Sequence, residues 1–243
     1  MKKLFLLLLS SSFCVQQTHA DNFLNGVNLN SSQLRQYNDL QAILDNYMNT
    51  DALKDNVSGI PLTVQCSNIN KGFPITLTSG KISIDGGALP KDALFQIGSS
   101  SKSFTSVVLL QLEAEGFLGK NGLNSTVGDY LPEYTKWKNV TIKQLLNMTS
   151  GIPDYMTDDN TILALFNSSP FNDSPDPKKQ INTKSILDAV KDKDLIFTPS
   201  TNYHYSNTDY VLAGKIVEKV TNHTLQQEIQ KRIIDPLNLQ YTH

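Results

Sequence analysis

Apolar residues recur every three or four positions between residues 31 and 50, after two serines that can begin a helix. This spacing places them on one face and predicts an amphipathic α-helix. The next apolar segments are different, because GIPLTVQCS (59–67) and FPITLTSGKISI (73–84) are rich in β-branched residues. The turn-like NINKG between these two segments makes an antiparallel hairpin the prediction for this region.

A third pattern starts at Ser99, after which no helix breaker occurs before Gly116. Apolar residues between Phe104 and Leu112 cover nearly every side of a helix, and a helix that is apolar all round is expected in the middle of a domain. The second half of the chain is mainly helical by the same criteria. Its predicted helices lie in TIKQLLNMTSG, closed by Gly151, in SILDAVKD, in NTDYVLAGKIVEKVTN, closed near Asn222, and in TLQQEIQKRIIDPLNL, capped by Thr224.

The order of elements is therefore a helix, a hairpin, a buried helix and a mainly helical half. Few strands are predicted for an α/β fold, and no later strand completes the sheet that the hairpin begins. We divide the chain into an α/β part at 21–115 that includes the buried helix, and a mainly helical part at 116–243. Residues 156–182 are rich in Pro, Asn, Asp and Ser, which indicates a surface excursion.

Charge and composition exclude some classes of partner. The formal net charge is −2 over 243 residues, 39% of which are hydrophobic, and no block of like charge occurs. A basic nucleic-acid footprint or membrane-binding face is therefore not expected, and we predict no nucleic-acid partner. The apolar content is enough for a globular core.

The first twenty residues have the layout of a secretory signal peptide. Two lysines precede an apolar run from Leu4 to Leu9, and small or polar residues follow as far as Ala20. This layout predicts export to the periplasm or medium, with no integral membrane segment after the signal is removed. Lipidation at Cys14 stays open, although Phe13 fits a lipid anchor poorly. Cys66 would then be the single cysteine, so no internal disulfide is expected.

Ser99 and Lys102 are the first residues that suggest chemistry. Helical side chains three apart share a face and point back toward the N-terminus, so Lys102 should reach Ser99 rather than the two serines between them. Ser99 also follows Gly98, at the predicted junction between the short extended segment ALFQIG (93–98) and the helix, where backbone N–H groups and the helix dipole can hold an oxyanion. A lysine in apolar surroundings can lose its proton and activate the serine. The alternative for so short a pattern is that Ser99 is an N-cap.

Tyr205 and Asn207 form a second pattern, in YHYSNTDY just before a predicted helix. A phenol beside a lysine can share its proton and pass it to a leaving group, and a carboxamide can hold a substrate amide. The alternative for Tyr205 alone is a core tyrosine whose hydroxyl is satisfied. Another Tyr-x-Asn copy begins at Tyr47, and we attribute it to chance because it lies within the first helix.

With both patterns in this order, the chain resembles the serine β-lactamase and penicillin-binding superfamily. It is most similar to the branch of class C β-lactamases and D-alanyl-D-alanine carboxypeptidases, which also contains esterases and D-aminopeptidases. The resemblance extends over about residues 60–243. Four stretches carry it: FQIGSSSKSFTSVVLLQLEAEGFL, TIKQLLNMTSGIPDY, FTPSTNYHYSNTDYVLAGKIVEKVTN and IIDPLNLQYTH.

The resemblance implies a β-lactamase/transpeptidase-like fold, with a helical domain beside an incomplete antiparallel sheet and its flanking helices. It implies that Ser99 is the acylated nucleophile, Lys102 its proton partner, Tyr205 the proton relay and Asn207 a ligand for the substrate amide. Neither a cofactor nor a metal is implied. The implied substrate is a small molecule or peptidoglycan peptide: a β-lactam, a D-alanyl peptide or a small ester.

Two other functions stay open beside this serine acyl hydrolase. The chain could be a non-catalytic or truncated relative that binds cell-wall peptide without turnover. A Ser-His-Asp hydrolase is a weaker alternative, because the chain lacks a G-x-S-x-G elbow. The sequence does not choose among the substrates and leaves the oligomeric state open.

The sequence departs from the family pattern in several places. Asn147 and Ser200 replace a His and a Gly that are frequent in relatives, and Asp209 replaces a common Gly; none carries the chemistry directly. The family's third motif, Lys-Thr-Gly or His-x-Gly, does not follow Asn207, and the earlier Lys120-Asn121-Gly122 does not qualify by position. The chain is therefore interpreted as a fragment or as a truncated form with half a site.

The absence of this motif has expected consequences. The missing strand would supply a second oxyanion donor, and loss of one such donor typically costs about 10² to 10³ in turnover. The apolar residues of the hairpin would face water or another molecule: Ile75, Leu77, Ile82 and Ile84. Residues 21–243 expressed alone are expected to be poorly soluble or self-associated and nearly inactive.

Overall fold

A computed structural model describes residues 31–52, 54, 57–65, 75–157 and 183–242. The predicted signal peptide, both cysteines, the hairpin turn and nearly all of the polar segment 156–182 lie outside the described residues. The chain divides into two compact units, Met1–Ser100 with Leu239–His243, and Ser101–Asn238. The predicted domain division at residue 115 stays a prediction.

The first unit contains one long helix and one hairpin. Helix α1 covers Ser31–Tyr47 and continues as a π-helical turn at Met48–Ala52. Strands β1 (Gly59–Val64) and β2 (Ile75–Gly80) pair antiparallel, with Gly59 opposite Gly80 and Val64 opposite Ile75. These elements confirm the predicted helix and hairpin, and among the described residues the sheet has these two strands.

Helix α1 covers one face of the hairpin. Ile75 and Leu77 are buried against Leu44 of α1, because residues two apart on a strand share a face. The expectation that these two strand residues face water was therefore wrong. Ile82 and Ile84 are 59% and 73% exposed, as expected, since they lie beyond the end of β2.

The second unit is mainly helical in its described part, with loops and one isolated antiparallel bridge between Thr126 and Thr141. Helix α2 (Ser101–Ala114) follows a 3₁₀ turn at Gly98–Ser100 and packs against α6 (Asn207–Thr221) and α7 (Leu225–Ile229). Helix α7 continues as a π-helical turn at Gln230–Ile234. Further 3₁₀ turns occur at Gly122–Asn124, Thr135–Trp137 and Tyr155–Thr157. The helices are α2 (Ser101–Ala114), α3 (Val127–Tyr130), α4 (Ile142–Leu146), α5 (Thr183–Asp188), α6 (Asn207–Thr221) and α7 (Leu225–Ile229).

Helix α2 differs from its prediction in two ways. It begins at Ser101, so Ser99 lies in the preceding 3₁₀ turn. It is also not buried on every side, because its helical neighbours cover one face: Leu109 is fully buried, whereas Val107 and Leu110 are 41% and 50% exposed. The apolar pattern predicted this helix correctly, but the prediction that the helix is buried on every side was wrong.

Capping residues explain where the shorter helices begin and end. Thr141 and Thr224 form capping boxes at the starts of α4 and α7, and the second confirms the predicted cap at Thr224. Asn222 ends α6 in the left-handed region at φ 57°, which confirms the predicted end. The prediction that Gly151 closes α4 was wrong, because α4 already ends at Leu146.

None of the helices in the described ranges has both the length and the apolar character that a membrane crossing requires.

Candidate functional site

A loop at residues 149–157, here called the clamp loop, forms the base of the candidate site. Its Gly151 has φ +76°, and a Cβ there would lie 2.3 Å from the carbonyl oxygen of Phe197. Both the backbone angle and this close approach require glycine. Backbone hydrogen bonds join this region to residues 196–204: Ile196 N to Gly151 O, Ser200 N to Thr149 O and His204 N to Met148 O.

The clamp loop also bonds to the first turn of α6. Each of three successive residues at the start of α6 contacts a different loop residue. The contacts are Asn207 N to Asp154 Oδ1 (3.1 Å), Thr208 Oγ1 to Pro153 O (2.8 Å) and Ser150 Oγ to Asp209 Oδ1 (2.7 Å). Side chains therefore satisfy backbone groups at this helix terminus and fix its position relative to the loop.

Lys102 of α2 meets this helix terminus. Its Nζ donates to Oδ1 of Asn207 at 2.8 Å. The same nitrogen lies 4.8 Å from the ring centroid of Tyr205 and 5.7 Å from that of Tyr210, both within the range of cation–π contacts. Ser106, one turn further along α2, lies 3.0 Å from the Tyr210 hydroxyl. The surroundings of Lys102 thus include an amide oxygen and two aromatic rings.

The orientation of the Asn207 amide follows from its partners. A lysine ammonium group only donates, so the amide oxygen must face Lys102. On the other side, Asn207 Nδ2 lies 3.0 and 3.2 Å from the two carboxylate oxygens of Asp154, which accept. Both contacts require the same orientation of the amide, with its oxygen toward Lys102 and its nitrogen toward Asp154.

Asp209 is a buried acid next to this arrangement. It is fully buried, and burial raises its pKa to about 8, although the hydrogen bond from Ser150 acts in the opposite direction. The charge of Asp154 raises the pKa further. The raised pKa favours the neutral form of Asp209. Its Oδ2 has no hydrogen-bond partner among the described residues.

Three of the four residues that the sequence singles out come together. Lys102, Tyr205 and Asn207 lie within one unit and are in contact. Ser99 lies in the 3₁₀ turn three residues ahead of Lys102 and is half-buried. Its pairing with Lys102, and the catalytic roles of all four residues, stay predictions. Among the described residues, no group of three or more His, Cys, Asp or Glu side chains could hold a metal.

Sequence reasoning missed the residues that support the site. Asp154 lies in a stretch that resembles the family, yet nothing in its spacing points to Asn207, 53 residues later. Asp209 was noted only as a departure from a common Gly. A buried acid leaves no local signature, because its partners come from a separate segment.

The amino-acid sequence is similar to one family model and to several known proteins. The family model Beta-lactamase matches residues 70–243. Protein flp of Staphylococcus aureus (strain MW2) is 28% identical over 213 residues, which cover 84% of this chain and 38% of that protein. Penicillin-binding protein 4* of Bacillus subtilis (strain 168) is 33% identical over 156 residues, which cover 63% of this chain and 31% of that protein.

The fold also matches solved structures. The D-stereospecific amidohydrolase from Streptomyces sp. superposes with a TM-score of 0.63 at 29% identity, over 82% of this chain and 54% of that one. The chain thus spans under two fifths of the length of the curated relatives reported above, and about half of this solved structure.

The helices and the small antiparallel sheet form a β-lactamase/transpeptidase-like fold, as the sequence predicts. The chain belongs to the β-lactamase family, within the superfamily that includes penicillin-binding proteins. Members of this superfamily are serine hydrolases, and the resemblance inferred from the motifs is confirmed.

Proposed function

We propose that the protein is an exported serine hydrolase that forms an acyl-enzyme at Ser99. One observation carries the proposal: Lys102 Nζ lies 2.8 Å from Asn207 Oδ1 and 4.8 Å from the Tyr205 ring, although the lysine and the Tyr-x-Asn pattern are about a hundred residues apart. Membership of the family supports serine hydrolysis as the reaction class. The contacts among Lys102, Tyr205 and Asn207 support these residues as the ones that would perform it.

In the proposed reaction Lys102 first gives up its ammonium proton to solvent, and the resulting amine takes the proton of the Ser99 hydroxyl as the serine oxygen attacks a carbonyl carbon. Tyr205 relays that proton to the leaving group as the bond between the carbonyl carbon and the leaving group breaks, and water then hydrolyses the acyl-enzyme ester. Asn207 has two N–H donors on its amide nitrogen. The carboxylate of Asp154 can share one of them, so that the other is available to a substrate carbonyl.

The proposed substrates are a β-lactam, a D-alanyl peptide or a small ester. The names of two relatives, a penicillin-binding protein and a D-stereospecific amidohydrolase, favour β-lactams and amides of D-configured residues among these. A comparison of hydrolysis rates for paired D- and L-amino acid amides tests the stereochemical part. Equal rates for both enantiomers would contradict it.

Export is proposed from the N-terminal sequence. Amino-terminal sequencing of the protein from its native host should find a mature chain that begins near Asp21, after cleavage at Ala20. A chain that retains Met1 in the cytoplasmic fraction would contradict export.

The acylation step is tested by mass spectrometry of the full-length protein after reaction with a penicillin or a fluorophosphonate. We expect one adduct, on Ser99, that is absent from Ser99→Ala and present in the matched control Ser101→Ala. An adduct on Ser100 or Ser101 would contradict the assignment of the nucleophile. Reversible penicillin binding without an adduct would favour the non-catalytic alternative.

A further inference from the structure

The carboxylate of Asp154 contacts Asn207 through both the backbone and the side chain of that residue. Asp154 is 5% exposed and accepts from Asn207 N at 3.1 Å and from Asn207 Nδ2 at 3.0 and 3.2 Å. We propose that Asp154 is a positioning residue that holds the Asn207 amide with its oxygen toward Lys102. For the acylation reaction this inference rests on the function proposed above.

The orientation matters because the two ends of a carboxamide have opposite hydrogen-bonding character. With the oxygen toward Lys102, the amide accepts from Nζ at 2.8 Å. A flipped amide would present N–H groups to the lysine, which donates and does not accept while protonated. Flipping would also leave the Asp154 carboxylate buried beside an amide oxygen, which is unfavourable for an acceptor. Asp154 therefore fixes the orientation of the Asn207 amide, and the amide oxygen in turn fixes the position of Lys102 Nζ.

Asp154 is itself held in place by the clamp loop. Its Oδ1 also accepts from Met156 N at 3.2 Å. Thr208 bonds to residues on either side of Asp154, donating to Pro153 O at 2.8 Å and accepting from Tyr155 N at 3.0 Å. The two Thr208 contacts hold the loop backbone and bond neither to the Asp154 carboxylate nor to the Asn207 side chain. Structural support and amide positioning can thus be separated by mutation.

A double-mutant cycle tests the positioning role in the full-length protein. Asp154→Asn keeps the shape but replaces one carboxylate oxygen by a donor. We expect the rate of fluorophosphonate labelling at Ser99 to fall about tenfold or more. In an Asn207→Ala background the same change should alter the remaining rate by less than about twofold, because Asp154 would have no amide left to orient. An equal loss in both backgrounds would overturn the proposal.

Thr208→Val is the matched structural control. It removes the bonds to Pro153 and Tyr155 and leaves the Asn207 side chain unchanged. We expect it to lower the melting temperature while the labelling rate stays within about threefold of the wild type. If Thr208→Val slows labelling as much as Asp154→Asn does, the effect of Asp154 reflects loop stability and the proposal fails.

A second measurement does not depend on activity. Hydrogen exchange of the Asn207 side-chain amide is followed by NMR, with its signals assigned by their absence in Asn207→Ala. We expect slow exchange in the wild type and faster exchange in Asp154→Asn. If the wild type is not labelled at Ser99 but this acceleration occurs, the proposed function fails and the positioning role stands. Unchanged exchange would overturn the positioning role whatever the activity.

Discussion

Lys102 is the predicted proton partner of Ser99, and its described contacts suit a lysine. Its ammonium group donates to one amide oxygen and lies over the faces of Tyr205 and Tyr210. An ammonium group is compact and can give up its proton, whereas a guanidinium is planar and stays protonated. Replacing Lys102 by arginine would therefore keep the positive charge but remove the ability to act as a base.

Lys102→Arg should lose most activity although it keeps the positive charge. A general base typically contributes about 10² or more to the rate, and a guanidinium cannot act as one. The measurement is the rate of acylation at Ser99, with the exposed Lys143→Arg as the matched control. A rate within about tenfold of the wild type, which is about 1.4 kcal/mol of barrier, would mean that Lys102 supplies only charge.

Tyr205→Phe should lower turnover more than it lowers thermal stability. The change keeps the ring that Lys102 contacts at 4.8 Å and removes only the hydroxyl. Tyr205 is 37% exposed, and phenylalanine keeps its ring packing, so the expected loss comes from the missing proton relay. Turnover and melting temperature are measured side by side. Near-normal turnover with a lower melting temperature would instead identify Tyr205 as a structural residue.

At the scale of elements, side-chain contacts determine how helices and strands are held. The start of α6 is joined to the clamp loop through Ser150 and Asp209, and the hairpin is joined to α1 through Leu77. The Ser150–Asp209 contact joins buried polar groups, whereas the contact between Leu77 and α1 is apolar. We therefore expect stability to depend on pH through Asp209 and on buried apolar volume through Leu77.

Asp209→Asn should weaken the pH dependence of stability. In the native state the pKa of Asp209 is about 8. In the unfolded chain the pKa of an aspartate is about 3.9. Because the native state binds more protons between these values, stability falls as pH rises from about 4 to 8. Asparagine does not titrate. The melting temperature of the variant relative to the wild type should therefore be higher at pH 8 than at pH 5, and parallel profiles would contradict this.

Leu77→Ala should destabilise the first unit by about 2–5 kcal/mol, because Leu77 is fully buried against α1 and its truncation leaves a cavity. The matched control is Ile84→Ala, where the side chain is 73% exposed and the expected change is within about 0.5 kcal/mol. Denaturant unfolding followed by circular dichroism measures both variants. Equal effects would mean that the hairpin face is not covered.

At the scale of the whole molecule, the chain presents an apolar strip on α2. Val107 and Leu110 are 41% and 50% exposed, whereas Leu109 between them is fully buried. Exposed apolar patches of this kind favour association with other molecules. The expectation of self-association therefore rests on this strip and on the exposed Ile82 and Ile84, and no longer on Ile75 and Leu77.

A polypeptide of residues 21–243 should self-associate, and Leu110→Gln should increase its monomeric fraction. Size-exclusion chromatography at several concentrations measures this fraction. Leu109→Gln should instead destabilise the fold, because it buries an unsatisfied polar group. If Leu110→Gln leaves the distribution of species unchanged, the strip on α2 is not the surface that associates.

Local patterns in the sequence were sufficient for the elements and for the membership of the family. Periodicity located α1, α2 and the hairpin, and the predicted cap at Thr224 located the start of α7. These features depend on residues within one or two turns of each other, so a linear sequence contains them. The Ser-x-x-Lys and Tyr-x-Asn patterns are local for the same reason.

Only the tertiary structure decided how these segments meet. It brought Lys102 to Asn207 across 105 residues, gave Asn207 its partner Asp154, and buried Asp209 so that its pKa rises to about 8. It also left one apolar side of α2 exposed. Burial, amide orientation and pKa depend on neighbours supplied by distant segments. Residue spacing determines which groups share a helix or strand, whereas their environment is set by packing.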